Sequence, residues 1–236
     1  MPTVPALALS WMSVTAQAGT MRPEAPRALL EQASIVVEAT VVRTENHVIE
    51  VDDERLPVTY HTLTVTSALL GDVTSGQIQV VLPGGPIDGF WVDDEDTPRL
   101  TVDAEVLIAG TRISSKPDTL VGLTGWDQLA FVKAVDHNRE IAVDTHGNPV
   151  ADVTCDGGAW LILPLNQAPS LLFDGVVMTA EEAMSAQHGP LFVADPLAWG
   201  MLWGDLVGAV TQCIGEVGNR GTTLPGFIDA PLGGGE

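Results

Sequence analysis

The chain has 236 residues, 45% of them hydrophobic, which suits one domain of ordinary size with an appendage, or two small domains. Asp and Glu total 31 against 10 Lys and Arg, giving a formal net charge of −21. Binding to nucleic acid depends on clustered Lys and Arg that release counterions from phosphates. The composition therefore argues against a nucleic-acid partner and favours a folded, soluble protein.

Residues 1–18 predict a secretory signal peptide. They carry no charge, include an apolar run from Val4 to Val14, and end in Ala-Gln-Ala at 16–18, the small-x-small pattern that signal peptidase accepts. The segment lacks the Lys or Arg that is usual near the start of a signal, and an ordinary apolar strand or helix is the alternative. We expect cleavage before Gly19 and a secreted or periplasmic protein.

Residues 19–154 predict a β domain that opens with a short helix. The helix, over 23–34, has Pro and Glu in its first turn. Runs rich in Val, Ile and Thr follow, separated by Gly, Pro and Asp, which is typical of short strands. The predicted strands cover 34–44, 47–51, 57–71, 77–82, 105–113, 119–125 and 129–135, with a hairpin over 140–153. Strands at this spacing predict a closed or sandwiched antiparallel structure.

The pattern changes after Cys155, and residues 155–218 predict a small helical appendage. The segment 178–189 has a Thr cap and an acidic first turn, and the segment 195–218 begins with Asp and Pro. Residues 219–236 predict a flexible tail.

The helix predicted over 195–218 carries a glycine at every fourth residue, a spacing that also occurs where membrane helices pack. Asp205 lies near its middle, and a carboxylate there opposes insertion into a bilayer. We therefore expect no stable membrane span.

Cys155 and Cys213 are the two cysteines of the chain. Disulfides persist in oxidising compartments, so export favours a bond between them. The bond would close a loop of about 58 residues and stabilise the fold by about 4 kcal/mol in the chain-entropy estimate. The alternative is two buried free thiols.

No nucleophile elbow, phosphate-binding Walker loop or dinucleotide loop occurs in the sequence. The histidines do not have zinc-ligand spacing, and His61 in a predicted strand is interpreted as a core histidine. Asp93, Asp94 and Asp96 are candidate cation ligands, although their run lacks the alternating ligands and glycine of a calcium loop and suits a solvated loop. We expect no enzyme activity and no cofactor.

The segment VVLPGGPIDGF at 80–90 places glycines and prolines after a strand. It leads into an acidic run that would repel phosphate, so it predicts a corner of a β-barrel. The tryptophans, Trp91 among them, could stack on sugars or serve as an interaction surface, but tryptophans more often fill a core, and we expect that here. Trp199, Leu202 and Trp203 are candidates for an interaction surface.

Six segments, in this order, resemble a family of uncharacterised exported bacterial proteins with a netrin-like OB-fold, as in tissue inhibitors of metalloproteinases. They are ASIVVEATVV at 33–42, VTYHTLTVTSALLGD at 58–72, GQIQVVLPGGPIDG at 76–89, AEVLIAG at 104–110, VGLTGWDQLAFVKAVD at 121–136 and VDTHGNPV at 143–150. The resemblance covers about half of the chain. It implies a closed antiparallel OB-like barrel and suggests a secreted peptidase as partner. The animal inhibitors bind the target's zinc through an N-terminal cysteine, and since Gly19 is the predicted mature end here, that mechanism is not implied.

The first functional hypothesis is an exported, non-enzymatic binding or interaction module of unknown ligand, with a secreted peptidase as a suggested partner. The second is an extracellular hydrolase whose carboxylates converge only in the fold. The third is an envelope-associated structural protein that docks through Trp199 and Trp203.

Overall fold

The computed structural model describes residues 24–51, 54–73, 76–92, 97–113, 119–124, 128–156, 158–161 and 196–220. Within these ranges the chain is mainly β, as predicted. The predicted signal peptide 1–18, the helix predicted over 178–189 and residues 221–236 of the predicted tail lie outside them.

The elements follow in chain order, with a 3-10 turn, Pro196–Trp199, ahead of the last helix. They are α1 Pro26–Gln32, β1 Ile35–Val51, β2 Glu54–Leu70, β3 Gln77–Pro83, β4 Gly85–Ile87, β5 Phe90–Val92, β6 Glu105–Arg112, β7 Thr119–Leu123, β8 Ala130–Asp136, β9 Arg139–Asp144, β10 Val150–Thr154, β11 Gly158–Leu161 and α2 Trp203–Arg220.

Five strands form a ring in the order β1-β2-β3-β7-β6, because β6 pairs with β1 as well as with β7. Strands β8 and β9 extend the sheet from β6. The pairing of β3 with β7 is parallel, whereas we expected antiparallel strands throughout. The chain makes β4, β5 and β6 between them, and this long connection lets β7 run in the same direction as β3.

Strand β1 is long enough to pair with two neighbours at once. Its pairing with β2 shifts register in three places between Val36 and Arg43, and such bulges bend and twist a strand. Residues 35–40 also pair with β6. The bends therefore allow β1 to link the two ends of the ring.

The core consists of two apolar clusters that share strands β1 and β6. Along β1, Ile35 and Val37 belong to the cluster built mostly from the ring strands, and Val36 belongs to the cluster beneath the helices. In β6, Val106 belongs to the cluster of the ring strands and Leu107 to the cluster beneath the helices. Because successive side chains of a strand point to opposite faces, both faces of these strands are buried, which explains their nearly continuous apolar runs.

Helices α1 and α2 cover the cluster that contains Val36 and Leu107, which we call the second cluster. Leu29 and Leu30 of α1 and Leu206 and Val210 of α2 are buried there together. Trp203, at the start of α2, is also buried, and its indole Nε1 donates to Glu38 Oε1 of β1 at 3.0 Å. The C-terminal helix is thus part of the core of the β domain rather than a separate appendage.

The segment predicted as one helix over 195–218 is divided. Met201 donates to Val150 O (2.7 Å) and accepts from the amide of Ala142 (3.0 Å), so it adds an extended stretch beside β9 and β10 before α2 begins. These sheet contacts replace the helical hydrogen bonds expected there. Strand β11 is a second departure, since residues 155–218 were expected to be helical.

The chain turns at residues 146–148 as predicted, and Val143 and Pro149 form a single antiparallel bridge across the turn. The Asp144 carboxylate accepts from the amides of His146 and Asn148 at 2.9 and 2.8 Å and closes the turn. Beyond it β10 pairs with β11 instead of β9.

Among the described residues, no helix has both the length and the apolar character needed to cross a membrane.

Candidate functional site

A cleft of about 350 Å³ lies at one end of the ring, where β1, β2 and β3 meet the segment 97–101 and the tip of β5. Strand residues form one side, and the segment that leads to β6 forms the other. Its lining consists of Thr44, Asn46, Thr59, His61, Leu82, Pro83, Gly84, Gly85, Trp91, Thr97, Pro98, Arg99, Leu100 and Thr101. This volume is within the range of small-molecule sites.

The hairpin of β4 and β5 brings Trp91 to the cleft. Gly84 and Gly85 have φ of +101° and +133°, so the chain turns sharply after β3 in a conformation that favours glycine. Asp88 and Gly89, with φ of +50° and +85°, form the tip of the hairpin. An Asp-Gly pair is a strong signal for such a turn, and it could have predicted this hairpin from the sequence.

Trp91 is 65% exposed, which corrects the expectation that it fills the core. Its neighbour Phe90 is 76% exposed but does not line the cleft. Trp91 therefore presents an open aromatic surface at the cleft, and Phe90 offers a comparison residue on the same strand.

His61 is buried in the wall of the cleft, as the core interpretation required. Its Nδ1 lies 3.0 Å from Thr44 Oγ1 of β1. Burial lowers the pKa of His61 to about 4, because the charged imidazolium would lose its hydration there. The ring is consequently neutral at pH 7, with one nitrogen a donor and the other an acceptor.

Thr97 carries a buried hydroxyl that has no hydrogen-bond partner among the described residues. The side chain is 8% exposed and lines the cleft. A buried hydroxyl left unpaired destabilises the fold, and because this oxygen has almost no accessible surface, it is not open to a ligand in the cleft.

Thr59 Oγ1 lies 2.9 Å from Asn46 Oδ1 and 3.0 Å from Gly84 O. A hydroxyl has one proton, so it donates to one of these two acceptors at a time. The other acceptor is available to a hydroxyl or amide donor in the cleft.

The described lining contains no Asp or Glu, although the chain has 31 of them. Arg99, which is exposed, is the charged residue of that lining. The candidate cation ligands Asp93, Asp94 and Asp96 lie outside the described residues. Within the described ranges, no group of three or more His, Cys, Asp or Glu side chains could hold a metal ion.

Cys155 and Cys213 are brought together at the second cluster, to which Cys213 belongs and against which Cys155 packs. They approach to 2.7 Å as free thiols, so the disulfide remains a prediction. Burial raises the pKa of the Cys213 thiol far above its usual value, and contact with Cys155 raises it further. Arg27 of α1 joins this group, with Nη2 at 2.6 Å from Glu216 Oε2.

The three candidates for an interaction surface do not share one exposed face. Leu202 is 43% exposed, but Trp203 is 5% exposed and packs in the core, with Lys133 Nζ 5.8 Å from its ring centroid. The side chain of Trp199 lies outside the described part of the chain. Trp203 is buried because α2 turns its apolar face toward β1. The docking hypothesis required Trp203 to be exposed, and this expectation is wrong.

No protein-family model matches the chain, and no curated protein sequence matches it significantly. The cleft was not predicted from the sequence, since its residues come from five separate segments that only the fold brings together.

Proposed function

We propose that this chain is an exported, non-enzymatic binding module that holds its ligand in the cleft beside His61 and Trp91. Export is proposed from the apolar segment 1–18 and its Ala-Gln-Ala ending. The observation that carries the proposal is the cleft itself, where an exposed indole lines the same space as the carbonyl groups of Asn46 and Gly84, which share one hydroxyl proton.

We also propose that the five-strand ring is an OB-like barrel. The order β1-β2-β3-β7-β6-β1, with one parallel pair between β3 and β7, supports this assignment. The resemblance to netrin-like proteins supports it as well. A closed barrel would give the cleft a rigid wall, because strands on both sides of His61 are held by ladder hydrogen bonds. A secreted peptidase remains a predicted partner on the strength of that resemblance.

Hydrogen–deuterium exchange tests the binding proposal, because it detects any ligand that covers the backbone of the cleft. The full chain is incubated with the extracellular material of its own host, and amide protection is compared with that of the free protein. We expect slower exchange in residues 82–85 and 97–101, which line the cleft, and unchanged exchange in β8 and β9.

A pair of exposed aromatic residues provides the control. Trp91→Ala should abolish the protection, whereas Phe90→Ala should preserve it, because only Trp91 lines the cleft. Absence of protection at the cleft with host material, or equal protection in Trp91→Ala, would overturn the proposal.

A further inference from the structure

We infer that the ligand of this cleft is a neutral carbohydrate, bound with one sugar ring against the face of Trp91. The inference rests on the proposed binding function and adds the chemical class of the ligand. Three properties carry it: the net charge of the chain, and the hydrogen-bonding groups and aromatic wall of the described lining.

The net charge of the chain disfavours an anionic ligand. Such a ligand would approach a chain with a net charge of −21, and long-range repulsion would oppose it. An uncharged ligand does not meet this repulsion.

The hydrogen-bonding groups suit hydroxyls. His61 is neutral, so its ring carries one donor and one acceptor, and its Nδ1 lies 3.0 Å from Thr44 Oγ1. Two residues before it on the same strand, Thr59 Oγ1 is shared between Asn46 Oδ1 and Gly84 O. A ligand that fits this mixture must itself carry groups that donate and accept at close spacing, and the hydroxyls of a sugar ring have this property.

The aromatic wall completes the match. Trp91 is 65% exposed beside these polar groups. A pyranose ring has one face of C–H bonds and a rim of hydroxyls, so it can cover an indole while its rim reaches polar partners. The cleft of about 350 Å³ has room for a sugar of this kind, and its open rim would let a longer polysaccharide continue outward.

Isothermal titration calorimetry on the full chain tests the inference with soluble neutral oligosaccharides as probes: gluco-, manno-, galacto- and N-acetylglucosamine oligomers. We expect at least one series to bind, with an affinity that changes less than about twofold between low and high salt, because no ion pair is involved. A polyuronate of similar length serves as the anionic comparison.

Four variants connect the binding to the cleft. Trp91→Ala should weaken the affinity by about tenfold or more, as expected for the loss of a stacking surface, while Phe90→Ala leaves it unchanged. Thr59→Val should weaken it by about fivefold through the lost hydroxyl, and Thr59→Ser should restore it. Both aromatic residues are exposed, so neither alanine variant removes core packing.

Three outcomes would overturn the inference: no neutral series binds, the affinity is unchanged in Trp91→Ala, or the polyuronate alone binds. If host material nevertheless protects 97–101 from exchange, the carbohydrate class is wrong and the binding function stands. If protection is also absent, both fail.

Discussion

Acidification should destabilise the folded chain through His61. Burial holds the folded-state pKa of this histidine at about 4, against the usual 6.5. Between these values the unfolded chain takes up a proton that the folded chain does not, so stability is lost as the pH falls from about 6.5 toward 4. The full difference between the two pKa values corresponds to about 3 kcal/mol of unfolding free energy, and about 2 kcal/mol of this should be lost by pH 5.

Urea unfolding of the wild type and of His61→Gln at pH 7 and pH 5 measures this contribution. Titrating carboxylates affect both proteins, so the relevant quantity is the difference between their free energies of unfolding. We expect the wild type to lose about 2 kcal/mol more than His61→Gln over this interval. His47→Gln is the matched control, because His47 is exposed on the neighbouring strand, and it should follow the wild type.

Equal losses in the wild type and His61→Gln would refute the reasoning. An NMR titration of the wild-type imidazole gives a second measurement that does not depend on a variant. The His61 ring should stay neutral down to pH 5, and a midpoint near 6.5 would show that burial does not perturb it.

The remaining predictions concern the core and the cysteines. Gly110→Ala should destabilise the fold by about 1–3 kcal/mol in urea unfolding, since its Cβ would overlap the Val121 side chain and lie 2.8 Å from Gly122 O. Gly208→Ala is the control, because nothing lies within 4 Å of the added atom, and it should be neutral or stabilising by up to about 1 kcal/mol. Equal effects of the two substitutions would contradict the prediction for Gly110. If Cys155 and Cys213 form a disulfide, the protein purified from an oxidising compartment should take up no alkylating reagent in urea until it is reduced. Reduction should then lower its free energy of unfolding by about 4 kcal/mol. Alkylation of both thiols without reductant would exclude the disulfide.

Several strands could be predicted because their side chains favour a strand over other secondary structures. The run that begins at Ile35 is β-branched and apolar, and the alternation around His61 and Leu63 indicates a strand with one buried face. The parallel pairing of β3 with β7 could not be predicted, because it depends on long-range packing that local periodicity does not report. Trp91 and Trp203 show the same limit, since both are large and apolar, yet only the fold determines which one is exposed.

The contact between α1 and α2 has a consequence for biosynthesis. Arg27 and Glu216, which form an ion pair, are 189 positions apart in the chain, and the apolar residues beneath the two helices are equally distant in sequence. Contacts this far apart form late, because a large loop must close before they gain any packing energy. In a nascent chain, the face of α1 that packs against α2 therefore stays uncovered until α2 has been synthesised and has left the ribosome.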